Sequence, residues 1–165
     1  MPKLGAIAKR SNSSDQIVNL LYNTGYRLTG SHRITQKLLE DVCNALNVES
    51  RINFNISLQS LCLIYLNNPT AGLSKNLPKD KSSPPVKGNN SGKIQAALLT
   101  LPPTERLVLV LRDMLGLNYT EIAKLIGIEK TAVTRLLNTG RWALRKQLVT
   151  PPEKSRQTEK YFVAK

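Results

Sequence analysis

"GLNYTEIAKLIGIEKTAVTRLL", residues 116–137, contains two short helical patterns that meet at one glycine. Asn118 with Glu121 three residues on reads as an N-cap and its reciprocal acceptor, opening a short helix that runs to Ile126. Gly127 breaks that helix, and Glu129 opens a longer one running toward Val149. A helix-turn-helix needs a small residue where the helices cross, a turn residue tolerant of positive φ, and apolar residues locking the helices together. Ala123 and Gly127 fill the first two places; Ile122, Ile126, Ile128, Val133 and Leu136 fill the third. The spacing therefore predicts a helix-turn-helix rather than a plain helical hairpin.

With Val133, Leu136 and Leu137 turned inward, the second helix would present Lys130, Thr131, Thr134, Arg135 and Asn138. Long cations with small hydroxyl and amide groups bond phosphates and base edges in a major groove. Arg141, Arg145 and Lys146 continue the cation supply and suit the DNA backbone. Alone, such a face reads as solvated charge; on a helix-turn-helix it reads as a DNA-binding surface. Trp142 shares a face with Asn138, Arg145 and Lys146, and reads equally as an exposed contact residue or as an aromatic packed on the first module.

Working outward, KIQAALLTL from Lys93 forms a helix stopped by Pro102-Pro103, and PPTERLVLVLRDML forms the next, ending at Gly116. These complete a four-helix domain over residues 93–150, followed by a basic tail, 151–165. Upstream, "TAGLSKNLPKDKSSPPVKGNNSG", residues 70–92, is rich in Pro, Gly, Ser, Asn and Lys and predicts a flexible linker. Before it, residues 14–69 predict a helical module. Ile17, Leu20, Leu21, Thr24 and Leu28 fall at helical spacing up to a turn at Thr29-Gly30. Ile34, Leu38, Leu39, Val42 and Leu46 form a second stripe. The short apolar segment SLQSLCLIYLNN fits helix or strand by pattern, and helix is expected from its neighbours. The expected fold is all-α: two small helical modules joined by a flexible linker.

The formal net charge is +13, and residues 93–165 carry 13 basic and 6 acidic residues, +7 of that total. A polyanion is the natural partner, nucleic acid before an acidic membrane surface. Cys43, Cys62 and the single His32 fit no metal spacing, and both cysteines read as buried small hydrophobes of a reducing compartment. No apolar run reaches signal-peptide or membrane-span length, so the expected location is the cytoplasm, without membrane attachment. Nothing suggests an enzyme or a cofactor: there is no nucleophile–histidine pairing, carboxylate cluster or phosphate-cradling glycine loop.

Residues 97–148 closely resemble region four of the sigma-70 family of initiation factors, in particular the small extracytoplasmic-function group. The shared marks are Leu101-Pro102, Arg106, Leu111-Arg112-Asp113, Gly116-Leu117, Tyr119, Glu121-Ile122-Ala123, Gly127-Ile128, Val133, Leu137, Arg141 and Leu144-Arg145. The resemblance implies promoter recognition by the last helix and contact with RNA polymerase. Three departures lie on or beside the reading helix. Glu129 stands where a Ser cap is usual; Thr134, Arg135 and Leu136 replace a Lys-Ser-Arg run; and Gly140 replaces an alanine, which predicts fraying or bending at a cost of about 1 kcal/mol. "LLYNTGYRLTGSHRITQKLLEDV", in the first module, resembles region two more weakly, through Tyr22, Arg27, Leu28, Thr29, Gly30, Leu38 and Val42. Lys37 occupies that region's acidic polymerase-binding position, leaving Glu40 and Asp41 as candidate polymerase contacts. Between residues 38 and 74 the only basic residue is Arg51 and the only aromatics are Phe54 and Tyr65, a poor set for holding an opened DNA strand.

The function expected is that of a sigma-like transcription factor binding double-stranded promoter DNA and engaging core RNA polymerase, with an anti-sigma protein as a further partner. The alternatives are a stand-alone helix-turn-helix regulator and a sigma-derived protein-interaction module without initiation activity.

Overall fold

A computed structural model describes residues 14–46, 53–68 and 90–149, and every element among them is helical. In chain order they are α1 (Ser14–Thr29), α2 (His32–Ala45), α3 (Phe54–Asn67), α4 (Asn90–Leu99), α5 (Pro103–Leu109), α6 (Tyr119–Ile126) and α7 (Lys130–Val149). A widened π-helical turn, Val110–Met114, continues α5. Most of the expected linker and all of the tail 151–165 lie outside the described residues. The second module begins slightly earlier than its apolar pattern implies, because α4 already includes Asn90 and Gly92.

In the first module, α1 buries Ile17, Leu21, Thr24 and Leu28 along one stripe, as the helical spacing requires. The turn to α2 is held by a hydroxyl relay: Thr29 Oγ1 and Thr35 Oγ1 lie 2.8 Å apart, and Thr35 Oγ1 donates to Ser31 O at 2.7 Å. The ambiguous apolar segment is a helix. Asn53 caps it by accepting from Asn55 N at 3.0 Å, and Phe54, Leu58, Leu61, Cys62 and Tyr65 recur on its buried face at helical spacing. Cys62 is fully buried, but Cys43 is exposed, contrary to the sequence reading. Val42 takes the inward position of α2, and the next residue is carried about 100° round the helix, away from the core.

The two modules are not separate bodies. Leu28, Leu61 and Tyr65 of the first belong to the same continuous core as Leu98, Leu107 and Leu111 of the second. Polar contacts finish the join. Gln95 Nε2 donates to Tyr26 O at 3.4 Å and Arg27 O at 3.1 Å, and Arg27 Nη1 donates to Gln95 Oε1 at 3.2 Å. Arg106, only 1% exposed, donates to Leu28 O at 2.6 Å, Leu99 O at 2.8 Å and Leu101 O at 2.9 Å. The carbonyls of Tyr26, Arg27 and Leu28 belong to the last turn of α1, where the backbone carries partial negative charge; Tyr26 O also accepts from Gly30 N at 2.7 Å, whereas helical partners run out for Arg27 and Leu28. A donor and a cation from the second module therefore satisfy the end of a first-module helix.

Candidate nucleic-acid interface

The reading element is built from its caps upward. Asn118 Oδ1 accepts from Glu121 N at 2.9 Å, and Asn118 N donates to Glu121 Oε2 at 2.7 Å, the reciprocal cap expected from sequence. Gly127 closes α6 at φ 72°, in the left-handed region that a side chain disfavours, and Ile128 N then donates to Ala123 O at 3.0 Å. Ile122 and Ile126 of α6 and Val133 and Leu137 of α7 are buried, while Ala123, Ile128 and Leu136 are half-buried against them. That packing leaves α7 only one free side.

Lys130, Thr131, Thr134, Arg135, Asn138, Arg141, Arg145 and Lys146 are all exposed, so the structure brings every residue of the expected DNA-binding set onto the solvent side of α7. Their local chemistry differs. Thr131 Oγ1 donates to Glu129 Oε2 at 3.1 Å, so the acidic residue that opens α7 holds a hydroxyl of the reading face. Thr134 Oγ1 is turned back onto Lys130 O at 3.2 Å. Arg135 and Asn138 are both exposed. Trp142 is 66% exposed, and the Lys146 ammonium lies 5.4 Å from its ring centroid. Of the two readings of that tryptophan, packing on the first module is excluded.

Arg141 is placed differently from its neighbours. Its guanidinium pairs with the Asp113 carboxylate, with Nε donating to Oδ2 at 3.3 Å, and the bond to Asp113 raises its pKa above the ordinary arginine value. Asp113 lies on the π-helical turn beside Arg112, whose Nη1 donates to Leu117 O at 2.8 Å and whose guanidinium sits 5.1 Å from the Tyr119 ring centroid. This Arg-Asp pair ties the turn to α6 and to α7. In the sequence the two residues stand out only through the resemblance to region four; their adjacency just ahead of the helix-turn-helix is the available signal.

Gly140 does not fray or bend α7, which runs unbroken from Lys130 to Val149. The glycine is buried, and a Cβ there would meet Leu109 Cδ1 at 2.9 Å and Glu105 Cβ at 3.5 Å. Its place is thus explained by the close approach of α7 to α5, and the expected cost of helix propensity is offset by packing.

Glu40 and Asp41 lie on α2, in the first module. Glu40 is exposed; Asp41 is half-buried and lines, with Lys37, Ile34, Ile64 and Tyr65, a cavity of about 450 Å³ between α2 and α3. Among the described residues no group of His, Cys, Asp and Glu could hold a metal ion, and no helix is long and apolar enough to cross a membrane.

Residues 91–144 match the family model described as Sigma-70, region 4. The fold is similar to that of the sigma factor RpoE of Bartonella quintana, solved in complex with the anti-sigma factor NepR. The likeness has a TM-score of 0.56 at 15% sequence identity, and covers 82% of this chain and 94% of that one. The region-four match thus falls on the helix-turn-helix, in a chain whose two-module helical fold is similar to that of a solved sigma factor.

Proposed function

We propose that this sigma-like DNA-binding factor recognises promoter DNA by laying the exposed face of α7 in the major groove and that it engages core RNA polymerase. The observation that carries the reading is the division of α7 into two sides. Val133, Leu137 and Gly140 are buried against the domain, while Lys130, Thr131, Thr134, Arg135 and Asn138 are all exposed. Arg135 is suited to base edges, and Arg145 and Lys146 to the phosphates beyond them. Glu40 and Asp41 are the acidic groups on α2 that support a polymerase contact. The similarity to RpoE supports an anti-sigma protein as a further partner. Co-purification with core polymerase followed by promoter-dependent run-off transcription tests the reading: transcripts support it, and DNA binding without polymerase binding overturns its second half.

One observation favours a second reading, a DNA-binding regulator that docks as a closed body. The modules share one core, and Arg106 binds the end of α1 across their boundary. The residues between 38 and 74 also supply little for gripping an opened strand. Permanganate footprinting separates the two, because only an initiating factor with polymerase exposes unpaired thymines.

A further inference from the structure

We propose that Trp142 contacts DNA, its indole packing on the sugar–phosphate strand that flanks the groove entered by α7. The inference rests on the major-groove reading of α7 and adds to it a contact that carries no charge. Trp142 lies seven residues past Arg135, two turns on, and therefore on the same side of the helix. At 1.5 Å per residue the separation along the axis is about 10.5 Å, close to the roughly 12 Å width of the major groove. If Arg135 addresses base edges, Trp142 stands where the helix leaves the bases and meets the flanking backbone.

The side chain is prepared for that contact. It is 66% exposed, although tryptophan is highly buried on average. The Lys146 ammonium 5.4 Å from its ring centroid sets a cation beside the indole, and Arg145 is exposed next to it on the helix. A flat apolar surface flanked by two cations matches a deoxyribose bracketed by phosphates. An aromatic that covers a sugar excludes water around the neighbouring phosphate contacts without releasing any counterion of its own.

The chain contains one tryptophan, so its own fluorescence reports the contact without a variant. Duplex binding, followed independently by anisotropy of labelled DNA, should quench or shift the emission of the full chain. Trp142→Ala should weaken specific and scrambled duplexes alike, by about three- to tenfold, and Trp142→Phe should recover most of the loss. The dependence of affinity on salt should stay unchanged in Trp142→Ala, whereas Lys146→Ala should lower its slope. Duplex binding with unchanged emission, together with wild-type affinity in Trp142→Ala, would overturn the proposal and leave the indole to a protein partner. A lowered salt slope in Trp142→Ala would also overturn it, assigning the loss to a displaced Lys146. If the unmodified chain binds no duplex, the reading of α7 itself fails, and the contact with it.

Discussion

The guanidinium of Arg106 donates to the carbonyl of Leu28 at 2.6 Å, joining α5 to the last turn of α1 across the boundary between the modules. Two further bonds run to Leu99 O and Leu101 O, so a buried cation is solvated by backbone oxygens. The partial negative charge at the end of α1 helps stabilise it there. Arg106→Met should leave the carbonyls of Leu28 and Leu101 buried without their donor, at a cost of about 3–5 kcal/mol in urea unfolding. Gln95→Ala, which removes partly exposed bonds to the same helix end, should cost about 1 kcal/mol. Equal small losses for the two variants would show that Arg106 does not hold the modules together.

The exposed cations of α7 should divide by role. Arg135→Ala is expected to cost about 1–3 kcal/mol on a preferred duplex and little on scrambled DNA. Arg145→Ala should weaken all sequences alike and lower the salt slope by about one. Titrations of both variants on both duplexes across a salt series check this, and identical losses would remove Arg135 as a reader of bases.

Arg141 should respond through its partner. Because Asp113 holds its guanidinium, Arg141→Ala should lower the salt slope less than Arg145→Ala does. Asp113→Asn should release the arginine and strengthen binding to every duplex, which the same titrations measure. An Arg141→Ala slope loss as large as that of Arg145→Ala would mean that DNA displaces Asp113, as an exposed pair allows.

Gly140→Ala reverses the ordinary expectation for a helix interior, where alanine gains about 1 kcal/mol over glycine. A Cβ at this position would meet Leu109 Cδ1 at 2.9 Å, inside the buried α5–α7 contact. The variant should be no more stable than the parent, and Gly140→Val clearly less stable, by thermal unfolding followed by circular dichroism. A raised Tm for Gly140→Ala would show that Leu109 yields without cost.

The two thiols should separate cleanly. Burial pushes the Cys62 pKa from 9.0 up to about 12, and burial also raises that of the Tyr65 hydroxyl, with nearby Arg106 opposing. Both groups hold their protons more tightly folded than unfolded. Their contribution is fully present below the unfolded values and is lost as pH rises toward the folded ones. Stability should therefore be level near pH 7–8 and fall above about pH 9, and Cys62→Ala should flatten the first part of that fall. In the native chain a thiol reagent should modify exposed Cys43 and reach Cys62 only on unfolding.

The helix-turn-helix was legible because its determinants are local. The Asn118–Glu121 cap, the left-handed Gly127 and the spacing of Ile122, Val133 and Leu137 act within one or two turns, and the same spacing sends Lys130, Arg135 and Asn138 outward. The apolar segment of α3 was not settled by its own pattern, because an apolar run of that length suits either structure until a packed neighbour selects one.

The sequence by itself determined the helical elements other than α3, the region-four helix-turn-helix and the charged face of α7, since caps, turns and periodicity are short-range interactions. Only the tertiary structure decided that the two modules share one core, that Arg106 reaches the end of α1, that Asp113 takes up Arg141, and that Gly140 is a packing residue. Leu28 and Arg106 are 78 residues apart, Asp113 and Arg141 are 28 apart, and neither pair shares a helix. Which distant groups meet depends on how whole helices stack, because the burial that drives stacking is non-directional and leaves the pairing to the shapes that finally fit.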